Sequence, residues 1–172
     1  LTFDPGTDFQ DLAAGATRDV TLTVQAEDGA GATAENDVTV TITGINDAPT
    51  VDAGLPDQAA TQDQAFSHSV PSDAFSDADA GDDLNYSASG LPGWLDFDGT
   101  TFSGTPSNAD VGSTTVTVTA EDGAGETAST DLTLDVTNTN EAPSLSAGSA
   151  TADEDGAAVN VNLAALASDP DA

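Results

Sequence analysis

Thirty residues of this chain occur twice. Residues 20–49 read VTLTVQAEDGAGATAENDVTVTITGINDAP, and residues 114–143 read TTVTVTAEDGAGETASTDLTLDVTNTNEAP, aligned without a gap at an offset of 94. A fixed internal period announces an array of similar units, which constrains the fold more than any single motif does. Each copy carries two runs of alternating aliphatic and threonine residues: Leu22, Val24 and Ala26, then Val38, Val40 and Ile42 in the first. The second copy repeats them at Val116, Val118 and Ala120, then Leu132, Leu134 and Val136. Strict alternation places aliphatic side chains on one sheet face and threonines on the other, and threonine's β-branch favours extended backbone even where it meets solvent. Asp28-Gly29-Ala30-Gly31 and Asp122-Gly123-Ala124-Gly125 lie between the runs and supply the turn, so each cassette predicts a β-hairpin. A proline, Pro49 or Pro143, then ends the sheet because it has no N–H to give a ladder.

The period sets the domain organisation. Residues 50–143 form one whole unit, of about the size of an immunoglobulin-like sandwich. Residues 1–49 read as the C-terminal half of a preceding repeat, and residues 144–172 as the N-terminal part of a following one, with apolar residues over 158–166. In the whole unit, Val51, Phe66, Val70, Phe75, Leu84, Tyr86, Leu91, Trp94, Leu95, Phe97, Phe102 and Val111 are core candidates, separated by turn-forming Pro, Gly and Asp clusters. Short strands at this spacing predict an all-β fold of tandem Greek-key sandwiches, with no helix signalled. Half-repeats leave strands such as Leu22-Thr23-Val24 and Val159-Asn160-Val161 with an uncovered face, and the expectation is that the end segments are partly disordered or pair with another chain.

Charge narrows the function. Thirty-one Asp and Glu face a single basic residue, Arg18, for a formal net charge of −30. Nucleic acid is excluded as a partner, because phosphate binding needs lysine and arginine, and anionic membrane surfaces are disfavoured for the same reason. No apolar run approaches the length of a membrane span. The chain has no cysteine, so no disulfide framework, thiolate zinc site or redox thiol is available. Strong regular alternation argues against disorder, which leaves a solvated halophile-type surface or one loaded with calcium. A Ser-His-Asp triad has only His68 to draw on and no nucleophile elbow, and paired acids are too common here to signal glycoside hydrolysis, so no enzyme is expected. His68 shares strand parity with Phe66 and Val70 and reads as a core-shoulder residue. Trp94, in Leu91-Pro92-Gly93-Trp94-Leu95-Asp96-Phe97, reads as packing rather than as a sugar platform.

The middle of the chain carries a more specific likeness. Phe66 to Pro71, Phe75-Ser76-Asp77-Ala78-Asp79, Leu84-Asn85-Tyr86, Leu91 to Asp98, Phe102 to Pro106 and Asp110-Val111-Gly112 together resemble the dystroglycan-type cadherin-like domains of bacterial surface proteins. The flanks, with Phe3 to Phe9, Leu12 to Gly15, Glu154-Asp155-Gly156 and Ala167 to Asp171, resemble bacterial cadherin-like and VCBS-type repeats of large RTX-type adhesins. This resemblance implies bound calcium, held at a first junction by Asn46 and Asp47 of the linker, Asp77 and Asp79 of the next unit, and Asp122 of its hairpin. It places Asn140, Glu141, Asp169 and Asp171 at a second junction, with Asp110 in the position of an acidic ligand. Glu154 keeps a glutamate position that Gln62 occupies in the middle unit. The linker is one residue shorter than in animal cadherins, and Asp82 and Asp83 read as surface residues as readily as ligands. No EF-hand loop fits from Asp77.

The function so implied is extracellular: a calcium-rigidified extender of a secreted or surface-anchored adhesin, supporting cell adhesion and biofilm. Its partners would be neighbouring repeats and other copies of the protein, with no membrane insertion. A carbohydrate-binding accessory module, with polysaccharide as partner, is the alternative.

Overall fold

A computed structural model describes residues 2–171 of the chain. The first cassette folds into a two-stranded antiparallel sheet of β1 (Thr17–Glu27) and β2 (Thr33–Thr43), with Val20 opposite Val40 and Leu22 opposite Val38. The second folds into β10 (Gly112–Glu121) and β11 (Thr127–Thr137) in the same register, with Thr114 opposite Leu134 and Val116 opposite Leu132. Even the polar face repeats: Thr23 Oγ1 donates to Asp37 Oδ1 at 2.7 Å, and Thr117 Oγ1 donates to Asp131 Oδ1 at 2.7 Å. In each turn only the second glycine takes the left-handed conformation, at φ 84° for Gly31 and 91° for Gly125.

Between the cassettes lie β3 (Thr50–Val51), β4 (Gln58–Thr61), β5 (Phe66–Ser69), β6 (Phe75–Ser76), β7 (Asn85–Ser89), β8 (Leu95–Phe97) and β9 (Thr101–Gly104). One sheet has the order β4-β11-β10-β7, with β4 parallel to β11 and the other pairs antiparallel. The opposing sheet has the order β5-β9-β8, and β3 pairs with β6. Val116, Val118, Ala120, Leu132, Leu134 and Val136 of the first sheet share one buried cluster with Leu95 and Phe102 of the second, making a β-sandwich. Phe97 stacks on Phe102 with centroids 4.4 Å apart, and Trp94 meets Phe66 edge-on at 6.0 Å. Gly104 admits no side chain, because the backbone of Trp94 lies where its Cβ would stand.

Two core candidates are 40% and 41% exposed: Val51, at the end of the two-residue β3, and Val111, between the 3₁₀ turn Asn108–Asp110 and the start of β10. Leu55, Ala60 and Ala74 are buried instead, and the small size of the alanines hid them. Two short 3₁₀ turns, Asn108–Asp110 and Leu163–Ala165, are the helical elements of the described residues.

The flanks are thinner. Leu12 is buried over Gly44, whose missing side chain lets the Leu12 and Ala13 carbonyls approach, and Arg18 forms a two-pronged pair with Asp11 at 3.1 and 2.7 Å. At the other end β12 (Ser144–Leu145) pairs with β13 (Ala167–Ser168), Leu145 opposite Ala167, just as Val51 lies opposite Phe75.

Candidate metal centre

The linker after β2 meets the sandwich at the end where β10 turns into β11. Asp77 and Asp79 follow β6, and Gly81, at φ 94°, turns the chain back so that Asp82 returns over them. One carboxylate oxygen from each of Asp77, Asp79 and Asp82 lies within 4.8 Å of the others. Calcium–oxygen distances of about 2.3–2.6 Å place two ligands of one ion up to about 5 Å apart, so the spacing fits.

Asp77 and Asp79 are each oriented through one oxygen and leave the other unspent. Asp77 Oδ1 accepts the Asp79 N–H at 2.9 Å, and Asp79 Oδ2 accepts the Asp47 N–H at 2.9 Å. Asp77 Oδ2 and Asp79 Oδ1 are buried without a hydrogen-bond partner among the described residues, and Asp79 is only 3% exposed. Buried unpaired carboxylates are costly unless a cation or donor neutralises them. Arg18 is the only lysine or arginine in the chain, and Asp11 holds it. The donor set therefore fits a hard cation and has no basic side chain to take its place.

Asn46 closes the cradle from the linker. Its Nδ2 donates to Asp122 Oδ2 at 2.8 Å, to the Asp47 carbonyl at 3.0 Å and to Glu126 Oε2 at 3.4 Å. Asp122, 3% exposed, takes the Ala124 and Glu126 N–H groups on Oδ1 at 2.9 and 2.8 Å. The Asn46 amide, with the Glu126 and Ala124 N–H groups, holds the Asp122 carboxyl below the usual range. Burial, then the negative charges of Asp77, Asp79, Asp122 and Asp83, push the Asp82 carboxyl up. The preceding segment also reaches this end: Gln10 Nε2 donates to both Asp47 oxygens at 3.3 Å, and the Asp11 carbonyl accepts the Ala80 N–H at 3.2 Å.

The five residues expected at the first junction thus come together. Asp82 joins them and Asp83 stays exposed, a division that the two adjacent acids do not reveal in sequence. Glu126 and Gln10 were not expected there, and no motif marks them.

The second junction repeats three of these bonds, those between the linker and its Asp-x-Asp pair and within each of them. Glu141 N–H donates to Asp171 Oδ2 at 2.6 Å, Asp171 N–H donates to Asp169 Oδ1 at 3.0 Å, and Asn140 Nδ2 donates to the Glu141 carbonyl at 3.3 Å. Asp171 Oδ1 is again buried without a partner among the described residues. Two expected contributors act differently. Asp110 Oδ2 caps its own 3₁₀ turn through Ser107 N–H and Oγ at 2.8 and 2.7 Å, which lower its carboxyl, while the neighbouring Asn108 reaches the Pro170 carbonyl. Glu154 stands exposed in a turn, with no hydrogen bond drawing it in among the described residues. Gln62, only 1% exposed, braces the linker instead, its Oε1 accepting the Thr139 N–H at 3.2 Å.

Residues 48–137 match the He_PIG family, described as "Putative Ig domain". The chain belongs to this family of Ig-like domains. Solved structures similar to this Ig-like chain include the extracellular cadherin domains 1–5 of protocadherin gamma B2, at 16% identity and a TM-score of 0.57, covering 78% of this chain and 28% of that one. Domains EC1–3 of mouse clustered PcdhgC3 match at 18% identity and a TM-score of 0.52, covering 72% and 44%. An endo-fucoidan hydrolase of glycoside hydrolase family 107 matches at 21% identity and a TM-score of 0.47, covering 76% and 19%. The Ig-like chain spans less than half the length of each of these structures, and at these identities the likeness is one of fold. No curated protein sequence matches it. No helix of the described residues is long and apolar enough to cross a membrane.

Proposed function

We propose that this chain is a calcium-rigidified extender of a large secreted or surface-anchored bacterial adhesin of the RTX and VCBS-repeat kind, a non-catalytic spacer that holds binding domains away from the cell. The observation that carries the reading is the repeated junction: two linkers, 94 residues apart, make the same bonds to an Asp-x-Asp pair and leave a buried carboxylate oxygen unpaired. Calcium supplies two positive charges and accepts six to eight oxygen ligands in a flexible shell. Asn46 and Asp47 hold the linker side of that shell, and Asp77, Asp79, Asp82 and Asp122 hold the sandwich side. Without a cation those carboxylates repel one another across the joint and the linker hinges.

The carbohydrate-binding alternative finds less support. Trp94 is half-buried against Phe66, and no aromatic side chain stands among the exposed large hydrophobics of the described residues.

The test is Asp79→Asn. The substituted amide keeps an oxygen to accept the Asp47 N–H and removes one charge. Titration calorimetry should show calcium affinity at the first junction falling by at least about tenfold, about 1.4 kcal/mol, while the metal-free protein melts no lower than the parent. Unchanged calcium affinity contradicts the assignment.

A further inference from the structure

The loop that carries Asp79 and Asp82 is gripped by the segment before β1. Asp79 to Asp82 form a tight turn, in which the Asp82 N–H donates to the Asp79 carbonyl at 3.3 Å and Gly81 takes the left-handed third position. The N–H of the second residue, Ala80, has no acceptor within the turn, and the Asp11 carbonyl takes it at 3.2 Å. Beside Asp11, Gln10 Nε2 donates to both carboxylate oxygens of Asp47, whose own N–H meets Asp79. Two consecutive residues of the preceding segment therefore touch both the linker side and the sandwich side of the candidate centre.

That segment is itself held to the base of the hairpin. Leu12 is buried, with its carbonyl against Gly44. Phe9 stands at φ 71°, a left-handed conformation that a bulky residue keeps only where its surroundings impose it. Those surroundings converge on Arg18. Its guanidinium lies 5.8 Å from the centroid of the Phe9 ring and clasps both oxygens of the Asp11 carboxylate. Arg18 is fixed in β1, opposite Ile42.

We propose that Arg18 is a positioning residue for the first junction: through its pair with Asp11 it holds the Asp11 carbonyl on the Asp79–Asp82 turn, so that filling the metal centre and attaching the hairpin to the sandwich reinforce each other. The inference rests on the proposed calcium reading of that centre. Alone, the latch is one backbone hydrogen bond and one exposed side-chain contact, too little to hold the joint against the mutual repulsion of the carboxylates, so latch and cation close together. Linkage makes the effect reciprocal: whatever the pair adds to calcium affinity, bound calcium adds to the pair.

The sign of the effect separates positioning from charge. Arg18 is the only lysine or arginine in a chain of net charge −30, and on electrostatic grounds alone its removal makes calcium bind more tightly. If Arg18 positions the turn, its removal makes calcium bind more weakly.

Calcium calorimetry on the full chain reads that sign. Arg18→Gln should lower affinity at the first junction by about two- to fivefold, the range for an exposed ion pair, while the melting of the sandwich in chelator stays unchanged. Exchanging the partners, Asp11→Arg with Arg18→Asp, restores the pair at the parent's net charge and should restore the affinity. Trypsin gives the reciprocal reading, because Arg18–Asp19 is the one bond in the chain that it can cut. Cleavage there requires β1 to open, so calcium should slow it by at least about twofold in the parent, and by less in Asp11→Ala, which keeps the cleavage site and loses the pair. Affinity unchanged or raised in Arg18→Gln overturns the positioning role and leaves the metal reading standing, as does cleavage indifferent to bound calcium. An exchanged pair that recovers no affinity overturns the route through Asp11, and a parent chain that binds no calcium overturns the metal reading itself.

Discussion

Asp79 shows how much one side chain decides. One oxygen fixes the Asp47 N–H, and the other is buried with nothing to meet it. His68 poses the same problem in the opposite sign, since its Nε2 is buried in β5 without a partner and burial lowers its pKa. A histidine held neutral in the folded state costs nothing at pH above its unfolded value, about 6.5. As pH falls through that value the unfolded chain takes up the proton first, so stability is lost from there down towards the folded pKa. We expect the melting temperature to fall between pH 7.5 and pH 5.5, and His68→Gln, which cannot charge, to show a smaller fall over the same window. Equal falls in parent and variant would mean that His68 is not the titrating group. The shoulder position of His68 was legible from strand parity, but its unpaired nitrogen was not, because that depends on what the opposite sheet fails to offer.

At the scale of the element, the two hairpins have the same register and polar pairs but different surroundings. Val24 and Val118 occupy the same place in the repeat, 39% and 0% exposed. Val118→Ala should destabilise the sandwich by about 2 kcal/mol, from two lost carbons and the cavity they leave. Val24→Ala should change stability by less than about 0.5 kcal/mol. Thermal denaturation of both variants checks this, and equal losses would show that the hairpin has a cover that the structure does not give it. The hairpins themselves could be read from the sequence because alternation and Asp-Gly turns are local signals. The same alternation at Val24 and Val118 says nothing of which face is covered. Likewise Asp77, Asp79 and Asp122 were pointed to by the resemblance alone, whereas Asp82, Glu126 and Gln10 reach this end through a left-handed glycine, a turn and a packed preceding segment. Asp110 misled for the converse reason: an acid three residues after a serine caps its own turn.

Over the whole molecule, the proposed spacer role is a statement about a joint: the carboxylates of the first junction fix the hairpin to the sandwich only when a cation lies between them. Strand pairs and core are complete on the sandwich side without the linker, so loss of the cation should free the joint and leave the sandwich folded. The chain has no cysteine, so spin labels can be placed singly at Thr39→Cys on the outer face of β2 and Ser103→Cys on the exposed face of β9. Pulsed dipolar spectroscopy on the doubly labelled chain, diluted in unlabelled protein, then reads the joint directly. A narrow distance distribution in calcium that broadens in chelator, with the sandwich still folded, is the result the account predicts; the same narrow distribution, or the same broad one, in both conditions would contradict it.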